Sequence, residues 1–272
     1  MAPKVKEIID IVDQIAPFKL AESWDNSGLQ AGDPSWSVSK LLVALDVTPA
    51  AMEAAVKLGC DMLISHHPLI MSPEKVLDFS RMPGSVIYAS ANEQIAIVSA
   101  HTNLDKAKDG LNDYFAQALG VTCDGPFLSD PPSDTQEDGI EGLGRMGQFE
   151  QAITLEALAG LIKQHLDIPG VRVTGPLDSL VKSAALCTGS GGSLTSHFLK
   201  SSAEVYITGD LKYHEARDIE AGGKTAVDVG HFASEHIVVD LLTQRLDKEF
   251  AARGYKIETH GFNKEKDPFT II

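Results

Sequence analysis

The sequence is poor in several features that mark specialised classes of protein. Its 3 cysteines, Cys60, Cys123 and Cys187, are far apart and form no CxxC pair, which argues against a thiolate zinc site and a disulfide framework. Charges interrupt its apolar residues well before a run reaches the roughly 18 residues that cross a bilayer. The formal net charge of −15 disfavours nucleic-acid and anionic-membrane partners. We therefore expect a cytoplasmic protein with reduced cysteines.

Hydrophobic residues make up 43% of the chain, which is sufficient for a buried core. The apolar periodicity of residues 5–15 predicts an amphipathic helix, and Thr48-Pro49 supplies an N-cap and first-turn proline for a helix ending near Gly59. Further helices are predicted over 111–119 and from about 234 to 253. The predicted strands are 41–47, 62–64, 95–100, 184–187, 205–208 and 225–229. This alternation of strands and helices predicts an α/β fold with largely parallel sheets.

A segment rich in Pro, Asp and Ser over residues 127–139 is the best candidate for a linker. It would separate a first α/β half, residues 1–126, from a second α/β half, residues 140–272. We expect the two halves together to form one domain.

The two predicted halves contain an internal repeat, which supports a duplicated α/β unit because a recurring order is difficult to produce by chance. The matching segments are 61–65 with 204–208 and 96–101 with 226–231. The second pair of segments ends in a histidine in both copies, and a carboxylate follows four residues later, as Asp105 or Glu235.

Chemistry-bearing residues follow the predicted strands, where parallel α/β sheets collect their ligands. These residues are His66, His67, His101, Asp105, Asp210, His231 and Glu235. Adjacent histidines in an extended segment point to opposite sides and can address two ions, so His66 and His67 suit a two-metal site. His231 and Glu235 share one face if a helix begins near His231.

Imidazoles and carboxylates without a thiolate suit Mn, Fe, Ni, Zn or Co. The predicted metal ligands are His66, His67, Asp105, His231 and Glu235. Two ions close together would generate a hydroxide nucleophile near neutral pH, so hydrolysis is the economical reaction class.

Other candidate residues have alternative roles. His101 is a metal ligand, a partner that holds Asp105, or a proton shuttle. Asp210, with His214 four residues later, either faces the site as a catalytic group or belongs to a solvated helix pair. Two further groups are candidates for substrate binding. They are the glycine turn Gly189, Gly191 and Gly192, which either holds a phosphate or is a plain tight turn, and the loop residues Trp24 and Asp25, which either close the site or form an Asx turn.

Motifs along nearly the whole chain resemble those of the NIF-three-like family of dinuclear-metal proteins, many of whose members carry the label GTP cyclohydrolase I type 2. The motifs are Trp24–Gln30, Leu63–Pro68, Ala100–Asp105, Gly142–Arg145, Tyr206–Asp210, and Asp228–His231 with Ser234 and Glu235. Several motifs in the same order make this resemblance specific.

The resemblance implies the NIF-three-like fold: two pseudo-symmetric α/β halves with mainly parallel sheets and a metal site between them. It implies that His66 and Asp105 bind one divalent metal ion, that His67 and His231 bind another, and that Glu235 bridges both. Fe, Mn, Zn, Ni and Co are the candidate metals. Members of the family form ring-shaped homohexamers. Longer members carry an inserted domain, for which residues 127–139 are too short, so the chain resembles the compact form.

The implied function is a metal-dependent hydrolase, GTP cyclohydrolase I type 2-like, acting on GTP or another nucleotide. The alternative is a noncatalytic, metal-stabilised ring that presents surfaces to partner proteins, since the same ligands would serve folding alone.

Overall fold

Two compact units make up the protein, for which a computed structural model describes residues 2–129 and 141–270. The first unit comprises the chain up to Ala107 together with Val238–Glu265. The second unit comprises the described residues of 108–237 and 266–270. Within the described ranges, no helix combines the length and the apolar character needed to span a membrane.

Helices and strands alternate along most of the chain. From the N-terminus they are α1 (Val5–Ile15), β1 (Gly28–Ala31), β2 (Lys40–Ala44), α2 (Pro49–Leu58), β3 (Met62–Ser65), α3 (Gly84–Glu93), β4 (Ala96–Ser99), α4 (Thr102–Lys106), α5 (Leu111–Ala118), β5 (Val121–Ser129) and β6 (Gly142–Thr154). They continue as α6 (Leu155–Leu166), β7 (Arg172–Thr174), β8 (Leu180–Ser190), α7 (Thr195–Lys200), β9 (Val205–Gly209), α8 (Tyr213–Ala221), β10 (Thr225–Asp228), α9 (His231–Glu235), α10 (Val238–Arg253) and β11 (Glu258–Gly261).

The first unit is built on a sheet with strand order β1-β4-β3-β2-β11. Strands β4, β3, β2 and β11 are parallel, and β1 is antiparallel to β4 at one edge. Every residue of β3 and β4 is buried, which explains why these strands read as continuous apolar runs in the sequence. The parallel arrangement brings the carboxyl ends of β2, β3 and β4 to one edge of the sheet.

The second unit is built on a sheet with strand order β5-β6-β8-β9-β10-β7. Its central strands β8, β9 and β10 are parallel. The prediction of a mainly parallel sheet is wrong for this unit, because β5, β6 and β8 pair as antiparallel neighbours and β7 is antiparallel to β10. Antiparallel strands need only short connections, so they extend a parallel core without further crossover helices.

The predicted internal repeat is confirmed and is longer than the matching residues indicate. The series α1-β1-β2-α2-β3-α3-β4-α4 recurs as α6-β7-β8-α7-β9-α8-β10-α9. The sheet order β1-β4-β3-β2 likewise recurs as β7-β10-β9-β8, with an antiparallel strand at the same edge position. Each copy therefore ends in a short helix directly after its last repeated strand.

The unit boundaries differ from the predicted halves. Residues 127–129 are the end of β5 and not part of a linker, and residues 130–139 of the predicted linker lie outside the described residues. The chain enters the second unit at Lys108, because β5 pairs with β6. It returns to the first unit at Val238, because β11 pairs with β2.

Local sequence patterns predicted several helix ends correctly. Helix α1 spans the predicted residues, and Thr48 caps α2 by accepting a hydrogen bond from the Ala51 backbone N–H. The predicted helix over 234–253 is two helices, α9 and α10. Helix α9 begins at His231, as the spacing of its histidine and carboxylate requires.

Candidate metal centre

Three histidines of the first unit converge at the carboxyl ends of β3 and β4. His66 and His67 follow β3 directly, and His101 lies between β4 and α4. One ring nitrogen from each of these residues lies within 4.8 Å of the other two. The ring centroids are 5.1 to 5.5 Å apart. Three imidazoles at this spacing form a group of nitrogen donors suited to a divalent metal ion.

The Nδ1 atom of each of these three histidines contacts an oxygen. His66 Nδ1 lies 2.8 Å from the carbonyl oxygen of Ala100, which can only accept a hydrogen bond, so this nitrogen carries the proton. His67 Nδ1 lies 2.8 Å from Asp46 Oδ1, and His101 Nδ1 lies 2.8 Å from Asp25 Oδ1. In this tautomer the lone pair of each neutral ring is on Nε2, which is the arrangement of histidines that ligate metals.

Asp105 adds an oxygen donor to this group. It lies in α4, where its backbone N–H donates to the carbonyl oxygen of His101. Its Oδ1 atom is 3.7 Å from His66 Nε2, and both side chains are nearly buried. Ligand bonds of about 2.0 to 2.2 Å place two ligands of one ion about 3 to 4 Å apart. The spacing of His66 and Asp105 fits that requirement.

The second unit carries the equivalent pair on α9. His231 Nε2 lies 2.9 Å from Glu235 Oε2, and His231 Nδ1 lies 2.8 Å from Asp210 Oδ2. When Nδ1 donates to Asp210, Nε2 can approach the Glu235 carboxylate only if a proton or another cation lies between them. Glu235 is 4% exposed, so its carboxylate is largely removed from bulk water, whereas the His231 side chain is 38% exposed. The donor chemistry of the pair therefore fits a metal ion.

Asp25 has a different role from the predicted contact with substrate. Its side chain is fully buried and accepts hydrogen bonds from the Asn26 and Thr102 backbone N–H groups, the Thr102 hydroxyl and His101. Burial alone would raise the pKa of Asp25, but the hydrogen bonds from His101 and Thr102 outweigh it and hold the pKa well below its usual range. Asp25 thus connects the loop before β1 to the start of α4.

Trp24, next to Asp25, remains a candidate for contact with a substrate. Its side chain is 61% exposed, and its ring centroid lies 6.1 Å from that of His101 in an edge-to-face arrangement. An exposed aromatic face beside the donor group is available to a ligand. Contact between Trp24 and a substrate therefore remains a proposal.

The glycine turn at the end of β8, which comprises Gly189, Gly191 and Gly192, packs against protein groups. The backbone N–H of Gly189 donates to Ser234 Oγ, and the carbonyl oxygen of Gly191 accepts from the Tyr206 hydroxyl. A Cβ at Gly192 would lie within 2.9 Å of both carboxylate oxygens of Glu215. Neighbouring carboxylates repel an anion, so these contacts disfavour the prediction that Gly189, Gly191 and Gly192 hold a phosphate.

Among the residues around the donors, some have a role other than the predicted one and others were not predicted. Asp210 contacts His231 Nδ1, so it orients a predicted ligand, whereas the ring of His214 packs against Tyr213. Asp46 was missed, although it follows β2 as the other candidates follow their strands. Glu265 was also missed, and its carboxylate accepts hydrogen bonds from the backbone N–H groups of Leu45 and Asp46.

The duplicated α/β fold and its histidine and carboxylate donors define a candidate metal-binding protein. The model of one family, described as Duf34/NIF3 (NGG1p interacting factor 3), matches residues 3–268. The chain therefore belongs to the Duf34/NIF3 family, as the sequence motifs predicted.

Individual relatives of this family match nearly the whole length of the chain. A Clostridium perfringens protein named "GTP cyclohydrolase 1 type 2 homolog" is 32% identical over 273 residues, covering 99% of this chain and 100% of the relative. A Staphylococcus aureus hypothetical protein (29% identity, TM-score 0.93) and a Bacillus cereus protein related to NIF3 (26% identity, TM-score 0.92) match structurally, with 100% of both chains covered in each case. The Clostridium relative thus aligns with nearly the whole of this chain.

Proposed function

We propose that this protein is a hydrolase that depends on two divalent metal ions. The proposed ligands are His66, His67 and Asp105 of the first unit and His231 and Glu235 of the second unit, with His101 as an additional donor in the first. The observation that carries the proposal is the shared orientation of the four histidines, each of which directs Nδ1 to an oxygen. Such partners fix the tautomer and the ring direction that a metal ligand requires.

A pair of bound divalent ions would supply Lewis acidity and activate water for attack on an electrophilic carbon or phosphorus. The chain's own residues prepare the donors for this chemistry. Asp46, Asp25 and Asp210 hold the imidazoles of His67, His101 and His231, respectively. Because these rings are oriented before any ligand arrives, little further ordering is needed when metal or substrate binds.

We propose GTP or another nucleotide as the substrate. Support comes from the name "GTP cyclohydrolase 1 type 2 homolog", which the Clostridium relative bears, and from the exposed ring of Trp24 beside His101. An exposed aromatic ring can stack on any nucleobase, because every base has a π-face. We further propose a cytoplasmic location, from the cysteine content and composition of the sequence, and assembly into a ring-shaped homohexamer, as the family resemblance implies.

The decisive experiment combines metal analysis with a turnover screen. The purified chain is loaded separately with Mn, Fe, Zn, Ni and Co, its metal content is measured, and nucleotides and phosphoesters are screened for hydrolysis. Glu235→Ala tests the site, and Glu220→Ala, an exposed carboxylate of α8, is the matched control. We expect close to two ions per chain and turnover in the wild type and the control, with both lost in Glu235→Ala.

Two results would contradict the proposal in different ways. At most one ion per chain after loading would refute the dinuclear site. Two ions with no turnover of any nucleotide or phosphoester would refute the hydrolase and favour the noncatalytic, metal-stabilised assembly.

A further inference from the structure

We infer that Gly189 positions the Glu235 carboxylate, because the space that a side chain at residue 189 would fill is occupied by that carboxylate. This inference rests on the proposed function in that it takes Glu235 to be a metal ligand. It gives the glycine turn at the end of β8 a role different from phosphate binding. Gly189 acts through Glu235 and is a positioning residue.

The close approach is between the Gly189 α-carbon and the Glu235 side chain. A Cβ built on Gly189 would lie 2.9 Å from Glu235 Cδ and closer still to Oε1, whereas real Cβ atoms essentially never come within 3.0 Å of another heavy atom. The same Cβ would lie 3.5 Å from His231 Nε2. That second distance is an ordinary van der Waals contact, so it is the Glu235 carboxylate for which the absent side chain leaves room.

Hydrogen bonds fix the same turn to the backbone of α9. The Gly189 N–H donates to Ser234 Oγ at 2.9 Å, and that hydroxyl donates to the carbonyl oxygen of His231 at 2.9 Å. Ser234 is the residue before Glu235 and is fully buried. These bonds hold the end of β8 against α9, so the Gly189 α-carbon stays beside the Glu235 side chain.

Gly209, in the same region, provides a comparison, because the space beside its α-carbon is filled by backbone atoms. A Cβ there would lie 2.6 Å from the Gly189 carbonyl oxygen and 2.8 Å from the His231 backbone nitrogen. Backbone atoms cannot move aside, so alanine at residue 209 should disturb the fold. At Gly189 the obstructing atoms are the end of a flexible side chain, which can rotate away. Alanine at residue 189 should therefore displace the carboxylate while the fold persists.

The test compares Gly189→Ala with Gly223→Ala in the full-length protein. Both glycines have positive φ, 65° and 69°, but nothing lies within 4 Å of a Cβ at Gly223. Both substitutions therefore carry similar backbone strain, and only one displaces Glu235. Mn²⁺ or Zn²⁺ affinity is measured by calorimetric titration, and the unfolding midpoint of the metal-free protein by circular dichroism.

We expect similar unfolding midpoints for the two variants, and metal affinity reduced about 10- to 100-fold in Gly189→Ala alone. Ser234→Ala provides a second test that leaves Gly189 unchanged. It removes the hydroxyl that ties the turn to α9 and should also weaken metal binding.

The possible failures are distinguishable. If Glu235→Ala loses metal while Gly189→Ala and Ser234→Ala bind it as tightly as Gly223→Ala, the positioning role is wrong and the proposed function stands. If Glu235→Ala binds metal like the wild type, Glu235 is no ligand, and the proposed site and this inference both fail.

Discussion

Asp25→Asn should destabilise the first unit although the two side chains have nearly the same shape. The Asp25 carboxylate is buried and accepts hydrogen bonds from His101 Nδ1, the Asn26 N–H, the Thr102 N–H and hydroxyl, and the Ser27 hydroxyl. An amide at this position replaces one acceptor oxygen with an NH2 group that faces those donors. Hydrogen bonds to a charged group contribute about 1.5 to 3 kcal/mol, and an unsatisfied buried group costs about 1 to 3 kcal/mol. We expect a loss of about 2 to 4 kcal/mol at pH 7.

The pH dependence gives this prediction a specific signature. The pKa of Asp25 is held below its unfolded value of about 3.9. Its ionised form therefore stabilises the fold fully above about pH 4, and this contribution is lost as the pH falls towards the lower pKa of the folded state. The advantage of the wild type over Asp25→Asn should shrink below pH 4, by at most about 1.4 kcal/mol per pH unit.

Urea denaturation of the metal-free proteins between pH 7 and pH 3 measures this advantage. Asp33→Asn is the control, since Asp33 is also an aspartate with hydrogen bonds from a nearby serine but is exposed. We expect Asp33→Asn to change the free energy of unfolding little. Equal stabilities of the wild type and Asp25→Asn at pH 7, or a difference that stays constant down to pH 3, would refute the reasoning.

Two further predictions concern His101 and Arg145. His101→Ala should lower metal content, because a ring nitrogen of His101 lies within 4.8 Å of ring nitrogens of His66 and His67. Full metal content with reduced turnover would instead indicate that His101 is a proton shuttle. Arg145→Met should cost about 2 to 4 kcal/mol in urea denaturation, because Arg145 is 1% exposed, forms a two-point ion pair with the partly exposed Asp113, and donates to the carbonyl oxygens of Gly142 and Gly144. The exposed Arg217 is the control, and Arg217→Met should cost no more than about 1 kcal/mol. Equal effects of the two arginine substitutions would contradict the argument from the burial and hydrogen bonds of Arg145.

The candidate donors were predictable because their positions depend on local features. Each one follows a short apolar run, and such runs became the buried strands β3, β4 and β10. The spacing of four residues in His101–Asp105 and His231–Glu235 became one helical turn in α4 and α9. The internal repeat then indicated that the two pairs are equivalent, which a single motif could not show.

The partners that orient the donors were harder to predict, because they are distant in the sequence. Asp46 contacts His67 across 21 residues, and Asp25 contacts His101 across 76. Many aspartates lie in loops, and no local pattern indicates which of them is buried beside an imidazole. The role of the glycine turn was hard to predict for a different reason. Its composition is the same for a phosphate site and for a turn that packs against a carboxylate.

The sequence by itself determined the α/β class, the duplicated order of strands and helices, and the residue types available as metal donors. These properties follow from hydrophobic periodicity and spacing, which act over a few residues. The tertiary structure alone decided that β5 joins the second sheet, that β11 returns to the first, and that Gly189 leaves room for Glu235. The physical reason is that strand pairing and close packing depend on residues far apart in the chain, and several arrangements of the same local elements satisfy the same local pattern.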